Sequence, residues 1–351
     1  VLRRSFMKKN PLVSVIILNY NGKEFIENCI RSVLNSDYDN FELIFVDNCS
    51  TDGSFELVVN KFGSDPRLKI IRNKRNLGFA GGVNVGLKYA RGEYIVLLNN
   101  DTIVEPDWLR ELVSVMEKRK DIGIAQPAIL YMDKNVIQTL GIYMDKILML
   151  SKPLGNRRRF PKKKIRMILP CTYALGACLI IRKKILKKIG PFDEKFKIFH
   201  DDSYWGFLTW LAGYKVATIL SSKIYHKGSA TISKFKVKEK FLYETASRIA
   251  LIIELYQPKL IVLKVMEFLV AWTAYAIIRA FMKRIPEYIM GAIFGYVWFF
   301  KNLGHFLMQR RLIRTRIRKP NFDNLSKILL PHPFSFRRME KRILEKLGII
   351  K

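Results

Sequence analysis

Along the first hundred residues the hydrophobic pattern changes period again and again. Val13 to Leu18 is a continuous apolar, β-branched run that stops in Asn19-Tyr20-Asn21-Gly22. Phe25, Ile26, Cys29, Ile30, Val33 and Leu34 then recur every three to four positions, the spacing of one helical face. Phe41 to Val46 repeats the apolar run and ends in Asp47-Asn48-Cys49-Ser50-Thr51-Asp52-Gly53. Leu68 to Arg72 is shorter; Asn73 to Gly78 follows, then a helical pattern from about Phe79 to Ala90 that opens with Gly81-Gly82. Tyr94 to Leu98 is the fourth run, closed by Asn99, Asn100 and Asp101. After it, Pro106 falls where position N1 of a helix is expected, with Trp108, Leu112, Val113 and Met116 along one face. Apolar runs this short and unbroken predict strands covered on both faces. Their alternation with helices predicts an α/β chain with a parallel, Rossmann-like sheet and right-handed crossovers.

In such sheets ligands bind beyond the carboxyl ends of the strands, and polar residues collect there. Asp47, Asn76 and Asp101 are gathered at one edge. Asp101, placed just as a strand stops, suits a hard cation or a phosphate-bearing ligand; equally, Asn99-Asn100-Asp101 reads as a turn that caps the next helix. The first loop, NYNGKEF, lacks G-x-G-x-x-G, and the chain has no G-x-x-x-x-G-K-[ST]. Backbone cradles for a dinucleotide or a nucleoside triphosphate are therefore not signalled, and carboxylate and amide tips favour a metal-bridged diphosphate.

Further along, Ile122 to Pro127 and the Gly141 region are strand-like, and Leu150 to Arg166 is a basic, proline-containing loop. That loop reads as a solvated one, or as a phosphate or headgroup contact. Ala174 to Ile181 is a small-residue turn running into a strand; Gly176 and Ala177 permit close packing or shape the floor of a site. A helix is expected from Lys183 to Ile189, stopped by Gly190-Pro191. Asp201 and Asp202, beside His200, precede an aromatic helix with Tyr204, Trp205, Phe207 and Trp210. Adjacent acids repel, and one can be shifted towards a general base; alternatively they cap the helix. His226 lies just beyond an expected edge strand, as a packed residue or as a ligand.

Composition adds three constraints. The 351 residues, 49% of them hydrophobic, suffice for one large domain plus an appendage. A formal charge of +32 calls for a polyanionic neighbour. Cys29, Cys49, Cys171 and Cys178 show no zinc spacing, which predicts reduced structural thiols. The opening VLRRSFMKKNP leads straight into LVSVIIL with no cleavage signature, so no signal peptide is expected and the catalytic part should face the cytoplasm. From Leu260 the composition shifts to LIVLKVMEFLVAWTAYAIIRAF and YIMGAIFGYVWFF. Lys264, Glu267 and Arg279 argue against a simple spanning hairpin. Helices lying in the interface fit better, anchored by Trp272, Tyr275, Tyr288, Tyr296 and Trp298 and flanked by Arg310, Arg311, Arg314, Arg316, Arg318 and Lys319. A helical bundle on the enzyme or on a second subunit, as in a homo-oligomer, is the other reading. The tail from Pro320 to Lys351 says nothing about chemistry.

VSVIILNYNG, FVDNCSTDGS, NLGFAGGVNVG, LLNNDTIVEPDWL and GPFDEKF, in this order, resemble glycosyltransferase family 2, the inverting GT-A group, and its rhamnosyltransferase-like branch. The resemblance covers roughly residues 11 to 230. It implies a GT-A domain over 1–235, with a nucleotide-sugar half at about 11–120 and an acceptor half at about 121–235, followed by a membrane-interface region over 236–351. It implies that Asp47 binds the nucleoside, with Asn19, Asn21, Asn76, Gly78 and Asn100 lining the nucleotide-sugar site. Asp101 then holds Mg²⁺ or Mn²⁺ as the surviving carboxylate of a D-x-D-type motif whose first acid is Asn99 here, and His226 is the second protein ligand. Asp202 is the implied catalytic base, supported by Asp201, Gly176 and Ala177. Tyr204 and Leu208 stand where many relatives have an acid and an arginine. The expected partners are a nucleotide-diphosphate sugar, a glycan or polyprenyl-linked acceptor and an anionic membrane surface at the cytoplasmic face, with no nucleic acid. Two rival readings are a basic nucleic-acid-binding protein and a membrane scaffold with an inactive transferase-like domain.

Overall fold

The computed structural model describes residues 10–132, 135–196, 198–199, 201–228, 235–332 and 334–350. The N-terminal part alternates β1 (Val13–Asn19), α1 (Lys23–Leu34), β2 (Phe41–Asp47), α2 (Ser54–Phe62), β3 (Leu68–Arg72), α3 (Gly78–Tyr89) and β4 (Tyr94–Asn99). These four strands pair in parallel in the order β4-β1-β2-β3. Every residue of β2 is buried, Glu42 and Asp47 included, as expected of a strand covered on both faces. After β5 (Thr102–Val104), helix α4 runs over Trp108–Lys118 with Asp107 as its cap residue. Pro106 therefore precedes the cap instead of occupying N1; Trp108 fixes the start by burying its ring and donating from Nε1 to Ser36 Oγ at 2.8 Å.

The second half extends the same sheet with β6 (Ile122–Tyr131), β7 (Ile137–Thr139), β10 (Ile168–Pro170), β11 (Cys178–Arg182) and β12 (Lys215–His226). A small separate sheet pairs β8 (Ile142–Met144) with β9 (Ser151–Pro153). The large sheet has ten strands, in the order β10-β12-β6-β11-β4-β1-β2-β3, with β5 and β7 beside β12 and β6. Strand β11 runs antiparallel to both β4 and β6, and so welds the two halves. Strand β12 lies inside the sheet between β10 and β6, not at an edge, so His226 ends an interior strand. Helices α5 (Lys183–Ile189) and α6 (Asp201–Leu211) cover this half, and α6 buries nearly its whole circumference.

Beyond residue 235 come α7 (Val237–Leu255), a turn of 3₁₀ helix, α8 (Ile261–Lys283), α9 (Glu287–Lys301), α10 (Leu303–Arg316), α11 (Phe322–Ile328) and α12 (Ser335–Lys346). Phe241, Phe268, Trp272, Phe299 and Phe306 form the core of α7 to α10. The tail, which says nothing about chemistry, closes the main core: Leu325, Leu329, Phe336 and Leu347, with Ile313 of α10, pack with β6, β11 and α6. Its backbone joins in, with Leu330 N donating to Met144 O at 2.9 Å and Asn321 N to Leu211 O at 2.8 Å.

Two expectations for this region are corrected. Trp272 is fully buried and donates to Thr245 Oγ1 at 2.8 Å, and Tyr275, Tyr288, Tyr296 and Trp298 are half-buried among the helices. What faces outward is aliphatic and phenyl: Val262, Val270, Phe281 and Met282 on α8, and Ile293 and Phe300 on α9. Arg310 and Arg314 are not available to headgroups either, since both donate to carbonyls at the C-terminus of α7, including Tyr256 O.

Candidate active site

The carboxyl ends of β2, β1 and β4 lie side by side, because the parallel register pairs Asn19 with Asp47 and Leu18 with Asn99. Asn19 is wholly buried and is the hub of this edge. Its Nδ2 donates to Asp47 Oδ1 (3.2 Å) and Ser54 Oγ (2.8 Å), and its Oδ1 accepts from Asn100 Nδ2 at 2.7 Å. Gly22 makes that bond possible: a Cβ there would fall 2.1 Å from Asn100 Nδ2. Asn21 donates through its backbone to Ser50 Oγ and accepts Thr51 N–H at 2.8 Å, pinning the loop after β1 to the loop after β2.

Asp47 is fully buried, and its carboxylate is engaged by Asn19 and by Ser50 N at 2.9 Å, with Arg72 Nε 3.7 Å away. These bonds brace the loop after β2. Asn48, which sequence reasoning passed over, does the neighbouring work. It donates to Asn76 Oδ1 (2.8 Å) and Gly78 O (3.0 Å) and accepts from Asn73 Nδ2 and Leu77 N. Asn76 also accepts Gly78 N–H at 2.8 Å, so the Asn73–Gly78 loop is held against β2 by amide side chains.

Asp101 and His226 meet through β5 and β12, which pair antiparallel with His226 opposite Thr102. His226 Nε2 lies 3.1 Å from Asp101 Oδ1, and both side chains are buried. The distance suggests an ion pair, yet the alignment makes no hydrogen bond, and Asp101 Oδ1 has no hydrogen-bond partner. On the far side of the ring, Nδ1 is 2.8 Å from Gln138 Oε1, and Asn99 Nδ2 approaches Nε2 at 3.4 Å. A ring that donates from Nδ1 presents a lone pair at Nε2. An imidazole lone pair and a carboxylate oxygen then converge on one point, the donor set of a divalent cation. Among the described residues no group of three or more His, Cys, Asp or Glu could hold a metal, so protein supplies two donors at most here. Such a pair fits a cation whose other ligands come from a diphosphate and water. Cys29 forms no ligand group with Asp101 and His226 among the described residues, and burial pushes its thiol up to about 12.

Asp202 is tied to this rim through the turn before β11. Its Oδ2 accepts from Gly176 N at 3.2 Å and its Oδ1 from Ser203 N at 2.8 Å, near the start of α6. Next to Gly176, Ala177 O accepts Asn99 N–H at 3.0 Å, so the turn holding Asp202 is bonded to the strand end that carries Asp101. Gly176 and Ala177 thus do more than permit packing. Asp201 is buried in the first turn of α6, and His200 lies outside the described residues. Tyr204 and Leu208 are buried in the core, so neither is open to an acceptor. Tyr173, behind the carboxylate, donates to Ser151 Oγ at 2.7 Å; burial and then the Asp202 charge push its phenol up, and it stays protonated.

A sequence model for Glycosyl transferase family 2 matches residues 14–190, half of the chain. An uncharacterized glycosyltransferase of Rickettsia typhi is 32% identical over 208 residues, covering 57% of this chain and 60% of its own length. A putative teichuronic acid biosynthesis glycosyltransferase of Bacillus subtilis, TuaG, is 35% identical over 109 residues, 31% of this chain and 43% of its own. The match thus spans less than two thirds of either relative. Among solved structures, S. aureus TarS 1-349 in complex with UDP-GlcNAc superimposes with a TM-score of 0.57 at 19% identity, covering 93% of this chain and 91% of that one. The mannosyltransferase PcManGT from Pyrobaculum calidifontis, in complex with GDP-Man and Mn²⁺, gives 0.52 at 16% identity over 89% and 87%. These likenesses establish the GT-A architecture; the rhamnosyltransferase-like branch finds no counterpart among them.

Proposed function

Because the chain belongs to Glycosyl transferase family 2, we propose that it moves a sugar from a nucleotide-diphosphate sugar to a hydroxyl of a glycan or polyprenyl-linked acceptor, with metal dependence and inversion at the anomeric carbon. The observation that supports this reading is the convergence of Asp101 Oδ1 and His226 Nε2, 3.1 Å apart and buried, on the rim that also carries Asp202. Asp101 and His226 would hold Mg²⁺ or Mn²⁺, which when bound supplies charge neutralisation for the leaving diphosphate. Asn19, Asn21, Asn48, Asn76, Gly78 and Asn100 shape the nucleotide-sugar end, with Asp47 positioning the loop beneath it. Asp202 takes the proton of the acceptor hydroxyl, and the oxygen attacks the anomeric carbon on the face opposite the diphosphate. Its oxygens accept the backbone N–H groups of Gly176 and Ser203, which fixes the orientation of the carboxylate.

Association with the cytoplasmic face of a membrane accompanies this reading. One helix with its preceding turn, Pro258–Lys283, is long and apolar enough to cross a membrane by length and composition, and only 17% of its most apolar window is buried. Lys264 pairs with Glu267, and Arg279 donates to Tyr288 OH at 3.1 Å, so charged groups remain along the helix. A charge near mid-bilayer costs several kcal/mol, which favours α8 lying in the interface. A surface function of this kind suits an enzyme of cell-surface glycan or glycoprotein assembly.

The test is hydrolysis and transfer of UDP- and GDP-sugars by the full chain with Mn²⁺ or EDTA. Turnover that requires the metal, and that Asp101→Ala lowers by at least about a hundredfold, the equivalent of several kcal/mol, supports the proposal. Turnover indifferent to EDTA and to that substitution contradicts it.

A further inference from the structure

We propose that Gln138 is a positioning residue for the metal site, setting the ring orientation and tautomer of His226; the inference rests on the reading of Asp101 and His226 as cation ligands. Gln138 is the central residue of the three-residue strand β7. Its Oε1 lies 2.8 Å from His226 Nδ1. An amide oxygen in that place accepts the Nδ1 proton, and the other nitrogen, Nε2, is left with the lone pair that faces Asp101. Without that acceptor the imidazole is free to protonate at Nε2 and hydrogen-bond Asp101, which would cancel both donors at once.

Three further features hold Gln138 in this place. Asn156 Nδ2 donates to the Gln138 carbonyl at 2.8 Å and lies 3.2 Å from Tyr131 OH, tying β7 to the end of β6. Tyr131 in turn is the register partner of His226 on β12. Gly228, two residues past His226, has φ +82, and a Cβ built on it would stand 2.6 Å from Gln138 Nε2. The glycine thus leaves room for the amide that orients the histidine. A histidine ligand whose second nitrogen is fixed by an acceptor is the common arrangement at metal sites, and loss of the acceptor typically weakens metal binding about 10–100-fold.

The test is titration of the full-length protein with Mn²⁺, alone and with UDP or GDP, following free Mn²⁺ by electron paramagnetic resonance. Melting temperatures without metal serve as the folding control. Gln138→Leu is expected to weaken Mn²⁺ binding about 10–100-fold with little change in the metal-free melting temperature. Gln138→Glu, which keeps an acceptor opposite Nδ1, is expected to restore most of the affinity. Should Gln138→Leu fail to fold, Gly228→Ala displaces the same side chain and is expected to show the same loss. Wild-type affinity in the folded variants, or a Gln138→Glu protein as weak as Gln138→Leu, overturns the proposal. A wild-type protein that binds no Mn²⁺ with either nucleotide overturns the Asp101–His226 site itself, a different result from a wild-type site indifferent to residue 138.

Discussion

Asp101 Oδ1 is the atom from which the chemistry is most directly read. A buried carboxylate oxygen without a hydrogen bond is costly, and this one faces an imidazole nitrogen that can act as a lone-pair donor. A cation relieves both. His226→Ala should therefore raise the Mn²⁺ concentration needed for half-maximal turnover while leaving the fold intact, which a metal titration of activity beside a melting curve will check. Unchanged metal demand would make His226 a packing residue. From the sequence, Asp101 was legible because it ends an apolar run. The resemblance set His226 beside it as a second ligand, but the geometry that joins them was not legible, because it depends on β12 lying inside the sheet and pairing with the three-residue β5. What the sequence did not show at Asp47 is its bonding: the carboxylate is buried and accepts from Asn19 and Ser50.

At the scale of elements, the strands that hold the site depend on a polar clamp at their far end. Glu42 Oε1 accepts from Ser14 Oγ at 2.6 Å and from Arg91 N at 2.8 Å, and Ser14 Oγ in turn accepts from Gly92 N. Burial alone would raise the Glu42 pKa, yet the bonds from Ser14 and Arg91 hold the carboxyl below its ordinary value of 4.5. A group whose folded pKa is depressed contributes stability above the unfolded value and loses it as pH falls through the folded one. Glu42→Gln should cost about 1–3 kcal/mol at pH 7, and its gap to the wild type should narrow as pH falls below 4.5 in denaturant unfolding. A gap that is the same at pH 7 and in acid would contradict the clamp. Strands β1, β2 and β4 were legible because each is a mostly apolar run buried on both faces, and the short edge strand β3 because its apolar residues stand between polar loops. Helix α4 began two residues later than Pro106 suggested, since Trp108 had a pocket to fill. The aromatic residues of α8 and α9 were misread because hydropathy cannot tell an inward ring from a lipid-facing one.

The outward apolar side chains of α8 carry their own prediction. Val270 and Phe281 are 70% and 86% exposed, so replacing both with serine should leave the fold alone. Burying such side chains is worth about 1.5–3 kcal/mol each, so binding to anionic vesicles in a sedimentation assay should fall at least about tenfold. Binding that does not change would place the membrane contact elsewhere or remove it.

Across the whole molecule, the C-terminal tail and the sheet share a core, while α7 to α10 also pack around one of their own. Leu325, Leu329 and Phe336 pack beside Trp210 and Tyr143, and the tail is bonded to β8 through Leu330 and Met144. Leu325→Ala is expected to destabilise the protein by about 2–5 kcal/mol, measured by denaturant unfolding; a change below about 0.5 kcal/mol, ordinary for a surface site, would show that the tail is an independent appendage. Asp202, on α6, is bonded through Gly176 to the turn that precedes β11. In the proposed reaction this carboxylate acts on the acceptor while Asp101 lies on the donor side. The most direct measurement compares Asp202→Asn with the wild type for donor binding, by thermal shift with Mn²⁺ and nucleotide-sugar, and for transfer under saturating donor. Donor binding close to wild type with transfer reduced about 10²–10⁴-fold is expected of a general base; equal loss of both, or transfer that survives the substitution, would rule that role out.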